Sequence, residues 1–305
     1  MKNNFAFQLL FSLIVINFLC VAVHGQAIDE QNLKKKIVCS TTQIADFAKN
    51  IAGDRWDVES ILGPGQDPHT HEVSAASAKL VSQADLCFQN GWNLEGHAWM
   101  EKICKESGKT CVTCVDGVTP RKISEDGVII NDPHAWFSVD RAKVYVRNIF
   151  KAIVAADPDH KAYYLNNAAK YIVQLDALKA EIKRELAQIP PPRVLATHHD
   201  AFGYFADEYN FQIVSLAKWS TDEIGGGSTL ARRKELISTI RQKGVKALFA
   251  ETSIDPEIMK VICKETGAKL GGKLYSDAMG GKGSPGETYI GMMKQNVKII
   301  VEALK

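Results

Sequence analysis

The sequence lacks a dominant charge. Its 37 Lys and Arg nearly cancel 35 Asp and Glu, leaving +2 at neutral pH, and the basic residues are dispersed. A nucleic-acid partner requires a concentrated basic face, so none is expected. No H-E-x-x-H pattern marks a zinc hydrolase helix. C-x-x-C occurs once, at Cys111-Val-Thr-Cys114, inside an alternating run rather than at a helix start. Neither a thiol redox centre nor a Cys-rich zinc knuckle follows from it. Gly281 to Gly286 fits G-x-G-x-x-G, yet too few residues remain after it to complete a βαβ unit. Gly225-Gly226-Gly227-Ser228 lacks the phosphate-loop lysine and reads as a loop, so nucleotide binding is not expected. The two halves carry no internal repeat strong enough to claim duplication.

Hydrophobic residues make up 46% of the 305 and charged residues 24%, which allows two domains with sizeable cores. Lys2 followed by an apolar run from Phe5 to Val23, ending in Val23-His24-Gly25 or Gly25-Gln26-Ala27, reads as a signal peptide over residues 1–25. Asn17 interrupts the run, which favours cleavage over retention as an anchor. Cys20 follows Asn17-Phe18-Leu19, without the small residues that precede a lipidated cysteine. The expectation is an exported protein, soluble after signal cleavage and periplasmic or otherwise extracytoplasmic. Of the six remaining cysteines, Cys39 and Cys87 lie in apolar strand-like runs and read as core. Cys104, Cys111 and Cys114 are close enough in sequence for one disulfide.

Short β-like runs alternate with amphipathic helical ones, a rhythm that predicts parallel sheets covered by helices. Strands are expected at Lys36–Ser40, Trp56–Leu62, Asp85–Phe88 and Thr110–Val115, then at Arg193–Thr197, Gln212–Leu216, Ala247–Glu251 and Lys273–Ser276. Between these sets Asp157 and Pro158 suit a helix start. Leu165, Ala168, Ile172, Leu175, Leu178, Ile182, Leu186 and Ile189 then recur at helical intervals until Pro190-Pro191-Pro192 stops the pattern. A helix of that length spans about 48 Å, longer than one lobe needs. The predicted organisation is an N-terminal α/β lobe over residues 26–156, a linking helix over 157–190 and a C-terminal α/β lobe over 191–305.

Four polar stretches fall where strands should end: Gln66-Asp67-Pro68-His69-Thr70-His71, Asp132-Pro133-His134, His198-His199-Asp200 and Tyr275-Ser276-Asp277. Ligands of open α/β sheets bind beyond the carboxyl ends of the strands. Three histidines and an aspartate, two residues from each lobe, would make a nitrogen-rich site for one transition-metal ion between the lobes. Taken singly, each stretch also reads as a turn or a helix cap. His71 is the rival to His69, whereas His97, His160 and His198 read as bystanders.

These stretches, with Gly63-Pro-Gly-Gln-Asp-Pro-His69, Asn90-Gly-Trp-Asn-Leu-Glu95, Asp132-Pro-His134-Ala-Trp136, His199-Asp-Ala-Phe-Gly-Tyr-Phe205, Phe249-Ala-Glu-Thr-Ser253 and Gly271 to Gly280, resemble the zinc- and manganese-binding solute receptors of bacterial ABC importers, the cluster A-I group. The resemblance covers essentially the whole mature chain. It implies two parallel-sheet α/β lobes joined by a single long rigid helix, with the metal site between them and His69, His134, His199 and Asp277 as ligands. It further implies a monomeric receptor, not an enzyme, that captures the ion and delivers it to a membrane permease. Three imidazoles and one carboxylate favour Zn2+. Bidentate binding by Asp277 would suit Mn2+ or Fe2+. Receptors considered dedicated to manganese carry glutamate at the position of His199, and dedicated zinc receptors often carry a histidine-rich loop that this chain lacks. The alternative is a secreted zinc-dependent hydrolase with Asp200 or Glu251 as base, or a surface adhesin using the same fold.

Overall fold

The computed structural model describes residues 34–125, 128–217 and 229–305. The signal segment and the glycine run at 225–228 lie outside them. In chain order the elements are β1 (Lys35–Cys39), α1 (Thr42–Ala52), β2 (Trp56–Ser60), α2 (Ala75–Ser82), β3 (Leu86–Gln89), α3 (Trp99–Glu106) and β4 (Cys111–Thr113). Next come β5 (Lys122–Glu125), β6 (Val128–Asn131), α4 (Val139–Ala156) and α5 (Lys161–Leu186). The chain continues through β7 (Val194–Thr197), α6 (Gly203–Tyr209), β8 (Gln212–Ser215), α7 (Thr229–Lys243), β9 (Ala247–Glu251), α8 (Glu257–Thr266), β10 (Lys269–Leu274) and α9 (Tyr289–Leu304).

Two four-stranded sheets form, ordered β2-β1-β3-β4 and β10-β9-β7-β8, with every pairing parallel. In each the strand order reverses at the second and third positions, between β1 and β3 and between β9 and β7. That reversal opens a crevice at the carboxyl edge. Hydroxyl side chains start the covering helices: Ser74, Ser138 and Thr288 accept from the backbone N–H of Ser77, Arg141 and Gly291.

The linking helix α5 runs 26 residues, after a 3-10 turn at Pro158–His160. It is shorter at both ends than the hydrophobic repeat predicts, and its buried face is rotated. Leu165 is 53% exposed, while Tyr164 and Tyr171 are buried. The phenols explain the rotation, because each has a buried polar partner. Tyr164 accepts from Trp56 Nε1 and donates to Asp157, and Tyr171 donates to Asp46. Leu175, Leu178, Ile182 and Leu186 then join a single hydrophobic core that includes Ile37 and Phe47 of the first half and Leu195, Phe205 and Ile300 of the second. Smaller clusters back each sheet.

Two further differences from expectation have local causes. The β5–β6 pair is an antiparallel hairpin with Val128 and Ile129 more than 60% exposed, so it offers no half-buried alternation to read. Strand β10 begins four residues before the expected start, running through Gly271 and Gly272 with a shift in register. A side chain at Gly271 would lie 2.7 Å from the Phe249 ring, so glycine is what lets the strand pass there. Cys39, Cys87, Cys104 and Cys114 are buried, but the disulfide sought among Cys104, Cys111 and Cys114 is not formed. Cys114 points into the main core while Cys104 packs in the smaller cluster behind the first sheet, with Cys111 against it.

Candidate metal centre

Each polar stretch reaches the seam between the sheets by its own local device. Asp67-Pro68-His69 and Asp132-Pro133-His134 make the same turn, in which the aspartate Oδ1 accepts the histidine backbone N–H, at 2.8 and 3.0 Å. The first turn is held from beneath by Trp99 Nε1 and Gly96 N, both donating to Pro68 O. A side chain at Gly96 would collide with His69 O at 1.9 Å, so this close approach requires glycine. The second turn is held by Asn90 Nδ2 donating to Pro133 O. Asn90 N donates in turn to buried Glu95, which also accepts from Ser40 Oγ at 2.6 Å. His199 leaves the end of β7 directly, and Asp277 follows β10.

The four side chains converge. One donor atom from each of His69, His134, His199 and Asp277 lies within 4.8 Å of the others. His134 Nε2 is 3.4 Å from His69 Nε2 and from Asp277 Oδ1, and His199 Nε2 is 3.3 Å from Asp277 Oδ2. Tetrahedral bonds of about 2.0–2.1 Å put ligand atoms about 3.3–3.4 Å apart, which the two histidine nitrogens match, while Asp277 meets His134 through Oδ1 and His199 through Oδ2. The His69–Asp277 distance is wider, at 4.0 Å. All four residues are at most 2% exposed. His199 Nε2 and both Asp277 oxygens are buried without a sound hydrogen bond. That cost is offset where a cation sits among them.

Behind two of the imidazoles stand carboxylates. His134 Nδ1 lies 2.8 Å from Asp132 Oδ1, and His199 Nδ1 lies 2.7 Å from Glu251 Oε2, while Glu251 Oε1 accepts from His199 N. At His134 a proton held on Nδ1 leaves the Nε2 lone pair for an ion, while at His199 Glu251 supplies a close negative charge beside Nδ1. Burial pushes every imidazole down, and His69 falls to about 3. For His199 the burial effect is outweighed by Glu251 and Asp277, which hold it well above its ordinary value, and Asp132 and Asp277 likewise raise His134. Burial pushes Asp277 up, but His199 and His134 outweigh it and hold the carboxyl well below its usual range.

His71 is not in the cluster; its ring packs edge-on against Trp99 at 4.7 Å. His97 is exposed, His160 pairs with Asp157 at 2.9 Å, and His198 is buried outside the cluster. Glu251 and Asp200, the bases of the hydrolase reading, are engaged by His199 and by Arg121. Sequence reasoning quoted Asp132 without giving it a role. It missed Arg121 altogether, because a lone arginine in an irregular stretch carries no pattern.

Two parallel-sheet lobes with a buried ligand cluster at their seam define a solute receptor. The family profile described as the periplasmic component A of the zinc-uptake complex matches residues 37–303. A metal ABC transporter substrate-binding lipoprotein of Streptococcus sanguinis, SsaB, is 36% identical, with 100% of this chain and 99% of that protein covered. The manganese ABC transporter substrate-binding lipoprotein PsaA of Streptococcus anginosus is 34% identical over the same shares. The solved periplasmic zinc-binding protein TroA of Treponema pallidum superposes with a TM-score of 0.83 at 30% identity, covering 89% of this chain and 99% of its own. The chain belongs to this family of extracytoplasmic substrate-binding receptors of metal-ion ABC importers. No helix among the described residues is long and apolar enough to cross a membrane.

Proposed function

We propose that the protein captures one divalent transition-metal ion through His69, His134, His199 and Asp277 and hands it, as cargo, to a membrane permease. It works as a monomer, with residues 26–156 and 191–305 as the two lobes and 157–190 as the link, and it performs no catalysis. The observation that carries the reading is the convergence of three imidazoles and one carboxylate, all buried, from both halves of the chain. Zn2+ is favoured by the nitrogen-rich donor set, with Mn2+ or Fe2+ as the alternative that both Asp277 oxygens facing the cluster would suit. Of the relatives' names, TroA's gives zinc and PsaA's manganese, and manganese is the metal that more of them carry.

The test is competitive loading of the chelator-stripped protein with Zn2+, Mn2+ and Fe2+, read by elemental analysis beside His199→Ala. One ion per chain, mostly zinc and lost in the variant, is the expected result. Preference for manganese or iron would overturn the choice of metal, and no stoichiometric ion would overturn the receptor reading.

A further inference from the structure

Arg121 lies just before β5, on the first half of the chain, with its guanidinium between two carboxylates from opposite halves. Nη1 donates to Asp132 Oδ2 at 2.9 Å, and Nη1 and Nη2 both donate to Asp200 Oδ2 at 3.1 Å. Nε faces Asp207 Oδ2 at 3.7 Å. The backbone completes the junction: Arg121 N donates to Tyr204 OH at 2.9 Å, and that hydroxyl donates to Asp132 O at 2.8 Å. Gly203 makes room for it, since a side chain there would meet Nη1 at 2.3 Å.

The carboxylates are not arbitrary. Asp132 gives Oδ2 to Arg121 and Oδ1 to the His134 ring, so one carboxylate transmits between them. Asp200 follows His199 directly in the chain. A guanidinium is a planar, rigid fork, and binding two carboxylates at once fixes their separation within a few tenths of an ångström in a way a flexible ammonium does not. The same arginine therefore fixes the spacing between an imidazole from the first half and one from the second.

We infer that Arg121 is a positioning residue that joins the His134 and His199 halves of the cluster through Asp132 and Asp200, and so sets how long a captured ion is held. The inference rests on the receptor reading above. It places Arg121 in contact with neither the ion nor its ligands. Its removal should leave encounter with the ion unchanged and let the two halves of the site drift apart, so the loss appears in dissociation.

The experiment compares Arg121→Met, Arg121→Lys, Asp200→Asn and the double variant Arg121→Met/Asp200→Asn. Zinc dissociation is followed by chelator capture, zinc association by stopped flow, and amide exchange is measured on the metal-free proteins. Arg121→Met, Arg121→Lys and Asp200→Asn should each speed zinc dissociation about tenfold with association within about twofold, and the double variant should be no faster than the singles. Exchange over residues 130–137 and 198–205 should accelerate together. Unchanged dissociation, additive effects, or a lysine variant equal to the wild type would each overturn the bridging role. If Arg121→Met fails to fold, the lysine and asparagine variants carry the comparison. A wild-type chain that binds no zinc would sink the receptor reading instead; the bridge itself would then stand or fall on the exchange of the two segments.

Discussion

At the scale of single residues, the four cluster members hold different protons before any ion arrives. His69, pressed by burial to about 3, is neutral at every working pH. Burial lowers His199, but Glu251 and Asp277 outweigh it and hold the imidazole well above its ordinary value, as Asp132 and Asp277 do for His134. A raised histidine stabilises the metal-free fold fully below its unfolded value of about 6.5, and that stability is lost as pH rises through the folded value. Metal must displace the same proton. Affinity should therefore rise with pH by about tenfold per unit for each proton displaced, from His199 first and from His134 where it too is protonated. Calorimetry in two buffers of different ionisation heat reads that number directly. Loading without proton release would mean His199 is neutral beforehand.

At the scale of elements, α5 can be tested on its two faces. Leu178 is 1% exposed within the main core, so Leu178→Ala should lower unfolding free energy by about 2–5 kcal/mol, seen as a lower urea midpoint at unchanged slope. Val173 is 67% exposed, and Val173→Ala should stay within about 0.5 kcal/mol. The contrast also shows how far the sequence was legible. The strand and helix order was readable because apolar periodicity marks whatever a sheet or a core buries. The rotation of α5 was not, since Tyr164 and Tyr171 face inward on account of polar partners far away in sequence. The same holds at the site. Its histidines were visible because Asp-Pro-His and His-His-Asp sit at strand ends, whereas Asp67-Pro-His69-Thr-His71 offered two candidates that folding alone separates. Glu251 was noticed as a candidate base, whereas its place beside His199 Nδ1 depends on folding. Arg121 depends wholly on tertiary placement.

For the molecule as a whole, each sheet has one face backed by its own small cluster and shares the interior on the other. One continuous core runs from Ile37 and Phe47 through α5 to Phe205 and Ile300. The described body from Lys35 to Lys305 should thus unfold in one transition, with far-ultraviolet dichroism and tryptophan fluorescence coinciding in urea. Two separated transitions would show that each lobe is stable by itself. The shared interior also bears on how far the two halves can part. Phe47 packs on Tyr289 at 4.8 Å between centroids and Phe137 on Phe202 at 4.3 Å, each pair drawn from opposite halves. Exposing even half the area of those four rings would cost on the order of 10 kcal/mol, comparable to the entire stability of an ordinary domain. Wide opening of the two halves is consequently not expected. A captured ion is therefore expected to enter and leave by local displacement around the site, and small-angle scattering checks this: equal radii of gyration with and without zinc would agree, and a large change would overturn it.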